Sequence, residues 1–203
     1  MKYRFRDKNV AVFEAWQRYF GDCPDVEISA GDIFDGAADA IVSPANSFGF
    51  MDGGVDLAYC LRFGWDLEAR LQALLHAEHD GELPVGQAVI VETGDAKFPL
   101  MVSAPTMRVP MDVSQTVNAF LAFRAVIRTV RAYNRAAQRP IESVLSPGLG
   151  TAVGRLDPQA CARQMYRAYR TSHLGERSVP RDLMEACRTQ FEMVGREGRF
   201  SKS

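Results

Sequence analysis

The sequence predicts an α/β layered domain, with helices on both faces of a largely parallel sheet. Two observations carry this. Short apolar runs of strand length alternate with longer segments whose apolar residues recur at helical spacing, which is the pattern of parallel strands joined by crossover helices. The 203 residues, 47% of them hydrophobic, are enough for one sizeable core. The expected organisation is therefore a single domain over residues 1–175. Residues 176–203 are expected to form a C-terminal helix and tail, packed on the domain or trailing from it.

Residues 2–6 alternate polar and aromatic side chains and predict a short strand. Over 11–20, Val12, Trp16, Tyr19 and Phe20 fall at helical spacings and Gly21 follows as a stop. Residues 26–28 predict a strand that runs into Gly31-Asp32-Ile33. Residues 40–42 are a buried-strand run, and a helix opens at 55. Residues 65–79 predict a helix with Leu67, Leu71, Leu74 and Leu75 on one face. Strands follow at 88–93 and 100–104, and a long helix spans 114–137, free of internal glycine and proline. A strand at 143–146 meets a glycine-rich loop. Asp157-Pro158 then opens a helix to about 173, with a cap residue followed by proline at the first helical position. Residues 180–194 predict a last helix, and 195–203 a disordered tail.

Three expected strand ends carry loop chemistry: residues 29–34, 43–56 and 146–155. Ligands of open α/β sheets sit beyond the carboxyl ends of the strands. The stretch from Asp39 to Asp56 joins an apolar strand, a loop with Gly49, Gly53 and Gly54, and a helix start. Glycine lets backbone approach a ligand closely, and the first helical N–H groups lack internal partners, so this is an anion cradle. Residues 147–154 repeat the arrangement with Gly148, Gly150 and Gly154. Two cradles facing one crevice suit a pyrophosphate.

Several classes are disfavoured. Neither loop has the G-x-x-x-x-G-K-[ST] or full G-x-G-x-x-G pattern of nucleotide triphosphatases and dinucleotide oxidoreductases. A net charge of −1 supplies no global field toward nucleic acid or anionic lipid. Cys23, Cys60, Cys161 and Cys187 lack paired spacing, so reduced thiols and a cytoplasmic location are expected. The first residues lack the apolar segment of a signal peptide, and no run approaches a membrane span. His76 and His79 are expected on a solvated face, as is the run Arg163, Arg167 and Arg170. His173 is expected to serve a helix end. Trp16 and Trp65 are expected to pack in the core or on a helix face.

The residues resemble the macro domains, which bind ADP-ribose, over about 25–172. Gly31-Asp32-Ile33 is similar to the family's G-D-I motif, whose Asp receives the adenine amino group. Asp39-Ala-Ile-Val-Ser-Pro-Ala-Asn46 resembles its D-A-I-V-N-A-A-N strand. Gly53-Gly54-Val55-Asp56 is similar to its G-G-V-D phosphate loop, and 84–88 to its P-x-G-x-A turn. Gly150-Thr151-Ala152-Val153-Gly154 resembles the second phosphate loop, G-T-G-x-[FY]. Asn46 and Asp56 reproduce the ten-residue spacing of the pair that touches the distal ribose in the mono-ADP-ribosyl hydrolase branch. The chain departs from the family at Ser43, at Ala152 and at Gly154, where the family often has an aromatic.

The resemblance implies a three-layer α/β/α fold with a mostly parallel mixed sheet. It implies catalytic roles for Asn46 and Asp56. Ligand binding would fall to Asp32, Ile33, Gly53, Gly54, Val55, Gly150, Thr151, Ala152, Val153 and Gly154. The partner would be ADP-ribose or an ADP-ribosylated substrate, with nucleic acid a partner only if it carries the ADP-ribose, and no membrane. Neither a cofactor nor a metal is expected. Two functions follow: hydrolysis of an ADP-ribosyl linkage (or of O-acetyl-ADP-ribose), and a non-catalytic module that senses ADP-ribose or a related nucleotide.

Overall fold

The computed structural model describes residues 1–176 and 179–196. The strands are β1 (Lys2–Asp7), β2 (Val26–Ala30), β3 (Ala40–Ser43), β4 (Val89–Glu92), β5 (Leu100–Ser103) and β6 (Ser143–Ser146). They form one sheet in the order β2-β1-β6-β3-β5-β4. Every pairing is parallel except that of the edge strand β4, which runs antiparallel to β5. The helices are α1 (Val10–Phe20), α2 (Gly54–Phe63), α3 (Asp66–Glu78), α4 (Asn118–Asn134), α5 (Pro158–Ala168) and α6 (Leu183–Val194).

Alternation along the strands builds two cores. Tyr3, Phe5, Ala40, Val42, Val102 and Val144 point to one face, where they meet Trp16 of α1, Phe123 and Val126 of α4 and Met165 of α5. Ile41, Met101 and Leu145 point to the other, onto Tyr59 of α2 and Leu67, Leu71 and Leu75 of α3. The central strands are apolar at successive positions because both faces are covered. Each large side chain buried this way contributes about 1.5–3 kcal/mol. The result is the expected three-layer α/β/α arrangement.

Caps set the helix starts. The Asn9 side chain accepts from Ala11 N (3.0 Å), and Asp157 accepts from Ala160 N (3.0 Å) ahead of Pro158. Asp182 accepts from Glu185 N (2.7 Å), so α6 begins at Leu183 rather than at 180. The helix expected from 114 begins at Asn118. Residues 112–116 are spent on turns, with Ser114 N bonded to Asp112 and Thr116 N to Val113 O. α5 continues into a π turn, Tyr169–His173.

Some side chains depart from expectation. Trp65 is exposed at the start of α3, whereas Trp16 is fully buried with Nε1 donating to Met165 Sδ. His173 does more than end a helix: Nδ1 lies 3.3 Å from the Tyr3 hydroxyl and Nε2 3.1 Å from Asp25. The arginine run divides. Arg163 reaches Tyr19 and the Met193 carbonyl, and Arg170 pairs with Glu176. Of the expected disordered tail, 197–203 lies outside the described residues.

Candidate functional site

All the parallel strands end at one rim, so the segments that follow β1, β2, β3 and β6 come together there. They border a cleft of about 430 Å³. Asp32, Ile33, Asn46, Gly53, Gly54, Val55, Asp56, Gly150, Thr151, Ala152, Val153 and Gly154 all line it. The cleft also takes Asp7, Lys8, Phe50 and Met107, which sequence reasoning did not single out.

The loop after β3 stays laddered to the chain beyond β5, through Ala104 N to Ser43 O and Thr106 N to Ala45 O (both 3.0 Å). Asn46 then organises the turn. Its Nδ2 donates to Phe50 O at 2.7 Å, and its Oδ1 accepts from Phe48 N (3.1 Å) and Phe50 N (3.3 Å). Met51 N donates to Glu68 of α3 (2.6 Å). The chain then enters α2 through Gly54, whose φ of +60° is left-handed and favours glycine. The backbone N–H groups from Asp52 to Asp56 donate to no protein acceptor among the described residues.

Asp56, in the first turn of α2, is only 6% exposed. Its Oδ1 accepts a 2.6 Å bond from the hydroxyl of Ser43 at the end of β3. Burial pushes its pKa up to about 6, and the Ser43 bond offsets part of that rise. Ser43 is therefore a partner of the candidate acid–base group. The sequence shows it only as a departure from a motif.

The loop after β6 is anchored from below by Asp7, whose carboxylate accepts from Asn9 N (2.8 Å) and Gly148 N (2.9 Å). It is closed by Leu156 N to Gly150 O, Arg155 N to Ala152 O and Val113 N to Gly154 O. The N–H groups from Thr151 to Gly154 donate to no protein acceptor among the described residues. Two stretches of free donors thus border one cleft, an arrangement that holds a bridged dianion. At the β1–β2 end, Asp32 Oδ1 accepts from Phe34 N (3.0 Å) and Oδ2 pairs with Lys8 Nζ (2.7 Å). The Lys8 bond holds the carboxyl below the usual carboxylate range.

Among the described residues no group of three or more His, Cys, Asp or Glu side chains could hold a metal, and no helix is long and apolar enough to cross a membrane. The four cysteines are free thiols.

The family model of the Macro domain matches residues 42–165. An uncharacterised protein of Aquifex aeolicus is 33% identical over 72% of this chain and 81% of its own length. Among solved structures, an Oceanobacillus iheyensis macrodomain with ADP superposes with a TM-score of 0.57. It is 22% identical, over 68% of this chain and 70% of that one. Thermosipho africanus DarTG in complex with ADP-ribose superposes with a TM-score of 0.56, at 18% identity, over 68% of this chain and 37% of that one. The sheet order, the rim and the 42–165 match agree: this chain belongs to the Macro domain family.

Proposed function

We propose that the protein binds ADP-ribose in the cleft and hydrolyses an ADP-ribosyl linkage. The observation that carries this is the pairing of two free N–H stretches, 52–56 and 151–154, with a buried carboxyl of pKa about 6 beside the first. Its family, and the ADP and ADP-ribose held by two proteins of like fold, support the ligand.

The pyrophosphate lies between the two loops. Asp32 accepts from the adenine amino group, exchanging its Lys8 partner for the ligand. The distal ribose points to Asn46 and Asp56. Asp56 is largely ionised at neutral pH yet basic enough to take a proton from water. That water adds through oxygen to the anomeric carbon as the bond to the acceptor breaks. The acceptor leaves with the bonding electron pair and is protonated by the proton that Asp56 took from the water, which returns the carboxylate to its starting form. Fixing the pyrophosphate lets remote binding energy hold the reacting carbon in place.

The sensor reading has one observation in its favour. The Asn46 carboxamide is committed to its own loop through three hydrogen bonds, which keeps a single Nδ2 hydrogen for a ribose. Single-turnover release of ADP-ribose from a modified protein, a modified oligonucleotide and O-acetyl-ADP-ribose, beside calorimetric titration with ADP-ribose, separates the two. Tight binding with no release from any of them replaces the hydrolase with the sensor, and absence of binding overturns both.

The same proposal keeps residues 1–175 as one macro-like domain with the C-terminal helix as an appendage. α6 touches it where Arg163 and Gln164 of α5 reach the Met193 carbonyl. It also keeps a cytoplasmic location and a reaction that needs no cofactor.

A further inference from the structure

Between Asp112 and Glu142 the chain carries five arginines and no acidic residue. Four of them, Arg124, Arg128, Arg131 and Arg135, recur along α4 at spacings of four, three and four. They form one stripe about 16 Å long. Arg167 of α5 joins them around a second cleft, of about 820 Å³, between α4, the end of α5 and the segment leading through α6.

No acidic side chain lines this cleft among the described residues, and none of the five arginines is in an ion pair. Two are held in place. Arg124 lies over the Phe120 ring at 5.1 Å with its Nε buried and without a hydrogen-bond partner, and Arg131 donates to the Ser172 carbonyl. The Arg124 guanidinium is thus held without a counter-charge in a cleft of like charges, which calls for an anion at its outer nitrogens.

We propose that this cleft binds the phosphodiester backbone of a nucleic acid. The stripe is far longer than a single phosphate group, so a repeating polyanion fits it. The cations are arginines throughout, whose forked donors match phosphate oxygens two at a time. An acidic protein partner fits less well, because protein interfaces centre on buried aromatic or aliphatic anchors, and the one aromatic here is covered by Arg124. The overall charge of −1 makes the attraction local to this face. The site is a separate cleft that shares no lining residue with the first and extends away from it along α4. Asn118, at the start of α4, bonds Thr106 near the rim, while Asn134, at its end, bonds Ile141 ahead of β6 on the opposite side. The inference therefore stands independently of the ADP-ribose reading.

The test is fluorescence anisotropy of a labelled, unmodified single-stranded 20-mer with the full chain, titrated over a series of salt concentrations. Binding should weaken linearly on a log–log plot, with a slope of about −2 to −3.5 for three to five contacts. Reversing two exposed arginines whose side chains make no hydrogen bond among the described residues, Arg128→Glu with Arg135→Glu, should weaken binding at least tenfold and flatten the slope by about 1.4. Arg128→Lys with Arg135→Lys, which keeps the charge, should retain most of it. Absence of binding at low salt, or unchanged binding in the charge-reversed variant, overturns the proposal. So does displacement of the oligonucleotide by a poly-glutamate peptide of equal charge, which assigns the face to an acidic protein.

Discussion

A methyl group built on Gly53 or Gly54, in the loop after β3, would meet nothing within 4 Å. One built on Gly154, in the loop after β6, would lie 2.6 Å from the Gly150 carbonyl oxygen and 2.6 Å from a Val113 methyl. The carboxylates beneath the loops differ as well. Asp7 is spent on two backbone N–H groups and serves as a strut for the second loop. Asp56 accepts from a single hydroxyl and keeps its proton equilibrium near neutrality. The first loop is thus open toward the cleft and carries the titratable group, and the second is a packed wall. Gly53-Gly54 and Gly154 look alike in the sequence, yet the first pair serves approach and the last serves packing.

The largest effect that sharpens this contrast is expected at Asp56. Asp56→Asn keeps an acceptor for Ser43 but cannot take a proton. Single-turnover release should fall about 10²–10⁴-fold, with ADP-ribose affinity by calorimetry changed far less. Equal losses in both would assign Asp56 to binding alone.

The next effect is on stability against pH. Folding raises the Asp56 pKa from 3.8 to about 6, so the native state holds this proton more tightly than the unfolded chain. The stability it confers is complete below the unfolded value and is lost as pH rises through about 6, a total of about 3 kcal/mol. The stability difference between wild type and Asp56→Asn, from denaturant titrations at a series of pH values, should change by this amount across that window, and parallel stability–pH curves would deny the shift.

Third comes Gly154→Ala. The added methyl collides with backbone and with Val113, which overpacking puts at about 1–3 kcal/mol. That lowers the melting temperature by several degrees. Gly53→Ala should do the opposite. Its φ of −149° is extended backbone open to any residue, so melting is unchanged, and the new methyl projects where a phosphate would approach. Loss of one charge-assisted bond weakens ADP-ribose binding by about tenfold or somewhat more. A Gly53→Ala variant that melts early, or a Gly154→Ala variant that melts normally, breaks the comparison.

The layered fold was readable because periodicity and stop signals are local. Val12, Trp16 and Phe20 mark α1, and Asp157-Pro158 marks the start of α5. What was not readable depends on the sheet order. β1 pairs with β6 across more than half of the chain, and nothing local announces Lys2 beside Ser143. For the same reason the Ser43–Asp56 bond, the Asp7 strut and the Lys8–Asp32 pair are invisible in one dimension. Trp65 was placed by composition alone, and large apolar residues at a helix start are not obliged to be buried.

The three bonds that tie Asn46 to its own loop have a consequence for rates. They fix the carboxamide while leaving its second Nδ2 hydrogen unspent, so the side chain can meet a sugar without releasing the loop. A donor held in place beforehand leaves capture a single step. In stopped-flow mixing, the observed rate should rise linearly with ADP-ribose concentration, and Asn46→Ala, which frees the loop, should bend that line toward a plateau set by loop ordering.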